Sequence, residues 1–286
     1  MRNPKPIHIS QATRYQNAAL TYYLGLTGSP FLHYGYWDPL PASEEELTIE
    51  RLQVAQEAYT SKVMGFIPEG TKTILDVGCG SGGNTAYLLA RGFAVEGLAP
   101  DPFQQERFLN YTHGEAPFHL STFEDFTASH SYDLILLSES SQYISAEDIA
   151  RCTSKLVNSG GYLLIADMMR SDPSYKEGIF SNCHVVTEIH NTLQQSGFTL
   201  AKTEDISAHA APTIDLAILN LKRFGISTVT YVSDLIAIAV PPLHKLLRWA
   251  YGRWLQKLVV EGLAAPTIFE EKLCYQIQLW QLSKKE

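Results

Sequence analysis

A chain of 286 residues, 45% hydrophobic and 18% charged, carries material for one large α/β core with additions rather than for two equal domains. Its formal charge of −8, with no long basic run, speaks against a nucleic acid as substrate. Cys79, Cys152, Cys183 and Cys274 are too scattered for a zinc site or a disulfide framework. No apolar signal core follows residues 1–6, and no run approaches the ~18 apolar residues of a membrane span, so the expectation is a reduced, cytoplasmic protein without a metal.

In chain order, Tyr15, Tyr22 and Tyr23 fall on a predicted first helix. The aromatic run Phe31-Leu32-His33-Tyr34-Gly35-Tyr36-Trp37-Asp38-Pro39 follows, readable as a lid or as a helix-packing cluster. Ile74-Leu75-Asp76-Val77 then suits a strand covered on both faces. Gly78, Gly80 and Gly82 form a turn without β-carbons, which lets a ligand lie against the backbone, and Asn84 to Leu89 reads as the helix leaving it. The alternative is a turn that merely lets helix and strand pack closely. Dinucleotide oxidoreductases use a similar junction, but Asp76 inside the strand would repel a pyrophosphate and suits a cationic ammonium.

Further strands are predicted at Phe93–Ala99, Phe118–Ser121, Tyr132–Ser138, Gly161–Asp167, Phe198–Ile206 and Lys272–Trp280, the last returning antiparallel. Helices at Ala146–Leu156 and Val185–Gln195 separate them, and Asn158-Ser159-Gly160-Gly161 reads as a helix stop. Nearly sixty residues, Ala208 to Glu271, stand where a short hairpin would serve. They read as helices at Ile214–Phe224, Thr230–Val240 and Leu243–Val260. In the last, Leu243, Leu246, Leu247, Ala250, Trp254 and Leu258 make an apolar stripe, with His244, Lys245, Arg248, Arg253 and Lys257 largely off it. The reading preferred here is an amphipathic helix packed on the sheet; the others are a lid over a greasy acceptor or a surface helix resting on anionic lipid.

The run Asp76-Val77-Gly78-Cys79-Gly80-Ser81-Gly82 resembles the first motif of class I S-adenosylmethionine-dependent methyltransferases. The resemblance implies a doubly wound, seven-stranded, mostly parallel Rossmann-like sheet in which Asp76, Gly78, Cys79, Gly80 and Gly82 hold the amino-acid end of S-adenosylmethionine. Asp101-Pro102-Phe103-Gln104-Gln105-Glu106-Arg107 and Ser138-Glu139-Ser140-Ser141-Gln142-Tyr143 are similar to segments of the branch containing tocopherol, sterol and natural-product methyltransferases. Phe31 to Trp37 is similar to that branch's aromatic lid. A non-acidic residue, Ala99, then stands where the common ribose-binding acid ends the second strand, and Gln104 offers a neutral substitute. Thr122 and Phe123 fall near adenine, with Phe123 equally readable as core, while Ser138, Tyr36 and Trp37 border the cofactor.

The organisation that follows is a lid at 1–65, the cofactor-binding core at 66–207, a helical cap at 208–271 and the final strand at 272–286. The implied activity is methyl transfer to a small hydrophobic metabolite, a prenylated ring, terpenoid or alkaloid, with oxygen, nitrogen and carbon acceptors all open. Glu139 and His33 are the catalytic candidates, and His209 is a further base to consider. The alternatives are a protein that binds the cofactor without catalysis and, less favoured, a dinucleotide oxidoreductase. Peripheral membrane contact is compatible with this reading, and oligomeric state is left open.

Overall fold

The computed structural model describes Thr21, Gly25 and residues 27–283; Tyr15, Tyr22 and Tyr23 lie outside the described residues. An extended aromatic strap from Phe31 leads through a short 3-10 turn, Glu44–Glu46, into helix α1, Ile49–Met64. Strands and helices then alternate: β1 Thr73–Val77, α2 Gly83–Leu89, β2 Ala94–Ala99, α3 Pro102–Tyr111, β3 Phe118–Leu120, β4 Tyr132–Ser138, α4 Ala146–Leu156, β5 Val157–Arg170, α5 Val186–Gln195 and β6 Phe198–Asp205. The insertion comprises α6 Ser207–Asn220, a π-helical segment Leu221–Ile226, α7 Ser227–Ala239, α8 Pro241–Leu263 and α9 Ala265–Lys272. Strand β7, Leu273–Leu282, closes the chain.

The seven strands form one sheet in the order β3-β2-β1-β4-β5-β7-β6, with β7 antiparallel to both neighbours and the other pairs parallel. Strands run outward as β1-β2-β3 in one direction and β4-β5-β6 in the other, with β7 inserted between β5 and β6, so the sheet reverses between β1 and β4, and such a reversal opens a crevice beyond the carboxyl ends. Val77 pairs with Leu98 on one side and Leu137 on the other, which brings β1, β2 and β4 to the same level at that edge.

Each central strand is apolar on both faces because helices cover both. Ile74, Leu134, Leu136, Leu164 and Ala166 pack towards Tyr59 and Val63 of α1 and Leu88 of α2. The alternate residues Leu75, Val77, Ile135, Leu137, Leu163 and Ile165 pack towards Ile149 of α4 and Ile189 of α5. Helix starts are capped as composition suggests: Thr48, Asp101 and Ser145 accept the N–H of Arg51, Phe103 and Asp148.

Two sequence expectations are corrected. Asn158 to Gly161 is not a stop ahead of the fifth strand, because α4 already ends at Leu156 and the strand begins at Val157. Asn158 Nδ2 donates to Asp133 and Gly160 takes φ +80°, so polar and glycine residues are absorbed where β5 shifts register against β4. The stripe of α8 is likewise not packed on the sheet: Leu243, Leu246 and Leu247 are exposed, and the side chains of Trp254 and Leu258 lie outside the described ones.

Gly78 has φ +75°, and a β-carbon there would fall inside the Ser140 side chain, whereas Gly92, at φ +85°, has nothing within 4 Å. Gly92→Ala should therefore cost only the left-handed backbone penalty, about 1–2 kcal/mol. Gly78→Ala adds steric overlap and should cost about 3 kcal/mol or more, read from urea midpoints at constant slope.

Candidate active site

The glycine turn is shaped by its protein neighbours as much as by any ligand. Ser140 Oγ donates to the Val77 carbonyl at 2.6 Å, pressing the segment after β4 against Gly78. A β-carbon at Gly82 would meet Phe108 at 3.0 Å, and one at Gly83 would meet the Phe31 ring at 2.7 Å. At Gly80 the nearest heavy atom would be the Leu32 Cδ1, 3.6 Å away, so this is the glycine that leaves room beside the turn. Cys79 turns inward to a small cluster with Ala99, Phe108 and Ala116, and burial pushes its thiol well above the ordinary range.

Two carboxylates flank the turn. Asp76 is buried on the α1–α2 face, where Thr85 Oγ1 donates to it at 2.8 Å, and burial pushes its carboxyl up to about 6 despite that bond. Asp101, just past β2, is also buried. Its Oδ1 caps α3 through the Phe103 N–H at 3.0 Å, while Oδ2 has no hydrogen-bond partner. Ser81 Oγ, within the turn, is buried and unpartnered too. Buried polar atoms are nearly always satisfied, so two orphans beside one turn make this edge the candidate site for a polar ligand. A glycine cradle, a carboxylate acceptor and a hydroxyl fit the ribose and amino-acid parts of S-adenosylmethionine.

Glu139 directly follows β4 with φ +52°, a left-handed conformation that costs a non-glycine residue energy. Its N–H continues the sheet to the Ala166 carbonyl at 2.9 Å, and its Oε1 accepts the Tyr34 N–H at 2.7 Å and the Tyr275 hydroxyl at 2.6 Å. Tyr275 also contacts the Tyr59 hydroxyl at 2.8 Å, and Tyr59 reaches Ser138 Oγ at 3.2 Å. Burial pushes the Glu139 carboxyl up to about 8, although both hydrogen bonds favour its charged form. The same burial, with Glu139 nearby, raises Tyr59 and Tyr275 well above 10.

His33 is held differently. Its Nδ1 faces the Tyr34 carbonyl at 2.8 Å, its Nε2 lies 3.0 Å from Thr60 Oγ1, and its ring stacks on Tyr59 at 4.2 Å. Burial pushes it down to about 4, so the ring is neutral near pH 7 with both nitrogens engaged by the protein. Tyr36 stacks on His209 at 4.2 Å, while Trp37 is buried with Leu52, Ala55 and Leu216 and donates its indole N–H to Thr213 at 2.9 Å. Both therefore anchor the strap to α1 and α6.

Glu139, His33 and Ser138 thus gather round Tyr59 and Tyr275, whereas Tyr36 is turned to His209, and Asp76, Gly78, Gly80 and Gly82 lie at the adjacent turn. Ala99 is buried at the end of β2, and Gln104 is half-buried on the first turn of α3. Thr122 is exposed and caps its own turn through Asp125 N, while Phe123 is buried in the core with Leu98 and Ile135. Sequence reasoning missed Tyr59 and Tyr275, which look like ordinary core aromatics, and Asp101 as a ligand group. It also missed Asp167, whose Oδ2 accepts both Ser141 N–H and Ser141 O–H and so fixes the segment following Glu139. A signal for Asp101 was present: an acid two residues after the vacant position at Ala99.

Clefts of about 470 and 480 Å³ lie beside the turn and between α2 and α3. Ser81 lines the first, but Asp76, Asp101 and Glu139 line neither, so converging polar groups rather than these clefts point to the candidate site. Among the described residues no group of three or more His, Cys, Asp or Glu side chains could hold a metal.

With this geometry in place, the chain belongs to a known family: the methyltransferase domain family model matches residues 51–203, more than half of it. A ubiquinone biosynthesis O-methyltransferase of Hydrogenovibrio crunogenus is 32% identical over 116 residues, 38% of this chain and 48% of that protein. One from Nitrosomonas europaea is 24% identical over 150 residues, 50% of this chain and 62% of that protein. The chain thus aligns with about half to three-fifths of these curated relatives' length. Among solved structures, the (4+2)-cyclase SpnF shares the fold at TM-score 0.68 and 18% identity, over 99% of this chain and 100% of that one. The geranyl diphosphate C-methyltransferase of Streptomyces coelicolor A3(2) shares it at TM-score 0.64 and 16% identity, over 95% and 99%.

The Glu139 environment has a consequence for stability. Between the ordinary carboxyl value of 4.5 and about 8, the folded protein retains a proton that the unfolded chain releases, so this group's contribution to stability falls as pH rises through that window. Glu139→Gln keeps an acceptor oxygen for Tyr34 and Tyr275 and removes the loss. Thermal melts should show the variant gaining on the parent between about pH 5 and pH 9, while an unchanged difference across that range would contradict the assignment.

Proposed function

We propose that this protein transfers the methyl group of S-adenosylmethionine to a small hydrophobic metabolite. The family membership supports methyl transfer, and the carrying observation is the pair of orphaned polar atoms, Asp101 Oδ2 and Ser81 Oγ, beside the glycine turn. When bound, the cofactor supplies an electrophilic methyl on a sulfonium. Asp76 and the backbone of Gly78, Cys79, Gly80 and Gly82 hold its amino-acid end, and Asp101 takes the ribose hydroxyls in place of the acid missing at Ala99, with Gln104 beside it. Thr122 and Phe123 stand towards the base.

The strap seals the site. Tyr34, Tyr36 and Trp37 tie it to β4, α1 and α6, which excludes water from the reacting groups. Glu139 serves as the base for an oxygen acceptor, because a carboxylate that binds its proton up to about 8 is matched to taking one from a hydroxyl near neutrality. His33, with both nitrogens engaged, positions Tyr59 and the strap. Curated relatives named as O-methyltransferases favour oxygen as the acceptor atom. Because the fold also carries a protein named as a cyclase, the assay must follow the methyl group itself.

Calorimetry should show S-adenosylhomocysteine binding and no preference for NAD, and Asp101→Asn should weaken that binding about tenfold. With a hydroxylated acceptor and labelled methyl donor, Glu139→Gln should lower kcat about 100-fold or more with S-adenosylhomocysteine affinity unchanged. Tighter binding of NAD, or full turnover in the glutamine variant, would overturn the respective assignment.

A further inference from the structure

Helices α7 and α8 form a hairpin that carries large exposed apolar side chains on both members. Ser233 Oγ and His244 Nε2 meet at 3.1 Å between them, and Leu221 lies against Gly225 and Gly262 at the root. Away from that seam, Tyr231, Leu235 and Ile238 recur at helical spacing on α7, with Tyr231 65% and Ile238 79% exposed. Leu243, Leu246, Leu247 and Trp249 do so on α8, with Leu246 57% and Trp249 82% exposed. So large an apolar surface on a soluble body marks an interaction site.

Charge indicates what the surface meets. Residues 221–263 contain six Lys or Arg and two Asp or Glu, a net +4, in a chain whose formal charge is −8. By helical angle Lys245 and Arg248 lie beside the apolar residues of α8, while Arg253 and Lys257 fall on the apolar face itself, further along the helix; all four are exposed. Two such hairpins brought face to face would repel, whereas an anionic lipid surface satisfies both the apolar rows and the cations beside and along them. No helix of the described residues is long and apolar enough to cross a membrane, so the hairpin would lie in the interface.

We infer that the α7–α8 hairpin docks the protein on anionic lipid bilayers. The placement also serves the site. Helix α6 leaves the sheet just after Asp205, and α9 returns to β7 at Leu273, which pairs with Arg170. Both connections lie at the carboxyl edge that carries Glu139, so docking by the hairpin brings the site near the lipid, where a hydrophobic acceptor concentrates. The docking itself does not depend on methyl transfer.

Co-sedimentation of the full chain with phosphatidylcholine vesicles, with and without phosphatidylglycerol, tests this. Binding should require phosphatidylglycerol and weaken with added salt. Lys245→Ala with Arg248→Ala should lower it about thirtyfold at low salt, and Leu246→Asp should lower it as well. These exposed positions lie outside the proposed cofactor site, so S-adenosylhomocysteine affinity should stay unchanged in both variants, which separates loss of docking from failure of the methyltransferase reading. Failure to bind phosphatidylglycerol vesicles would overturn the inference. So would a stable dimer in analytical ultracentrifugation that Leu246→Asp dissociates, which would make the face a contact between copies.

Discussion

The Glu139 carboxylate is the junction on which the ligand edge depends. One oxygen accepts the strap's Tyr34 N–H and the Tyr275 hydroxyl of β7, while the backbone N–H of the same residue completes the pairing of β4 with β5. Three segments distant in sequence are thus fastened to one residue, and Tyr59 joins α1 to it through Tyr275. The left-handed φ of Glu139 is the cost of aiming the carboxyl back over the sheet, and burial among phenols raises its proton affinity. An acid kept only for structure would gain from lying in the open. This one is held in a left-handed conformation where its charge is disfavoured, the setting that the proposed role as a base calls for.

The surrounding polar groups divide the edge into two halves. Around Asp76, Ser81 and Asp101, acceptors are buried with few partners, an environment suited to a ligand rich in donors and positive charge. Around Glu139, partners are plentiful and aromatic. Ser140 lies between the halves, bonded to Val77 and pressed against Gly78, while Asp167 fixes the next residue, Ser141. A shift of the β4 segment would therefore disturb both halves together.

Much of this was legible in the sequence, for physical reasons that differ by element. The bounds of β4 and α4 match the expected ones because a run of buried aliphatics and a capped amphipathic stretch each define their own ends. Strand β5 extends beyond its expected bounds at both ends: Asn158 and Gly160 read locally as a turn although the strand already pairs with β4 at Val157, and pairing with β7 carries it on to Arg170. The stripe of α8 was legible as a pattern but not as a destination, since helical periodicity says which residues share a face and not what that face meets. In the site, the glycine turn announced itself, but the reason for Gly78 lies sixty residues downstream in Ser140. Tyr59, Tyr275 and the free oxygen of Asp101 acquire meaning only once the sheet brings them to one edge.

The central claim is that one edge holds the methyl donor between Asp101 and Glu139, and a crystal structure with S-adenosylhomocysteine tests it most directly. The account predicts ribose hydroxyls on Asp101 Oδ2, the amino-acid end against the glycine turn near Asp76, and the sulfur turned towards Glu139 and Tyr275. A ligand seated elsewhere, or one that leaves Asp101 without a partner and its sulfur remote from Glu139, would contradict it.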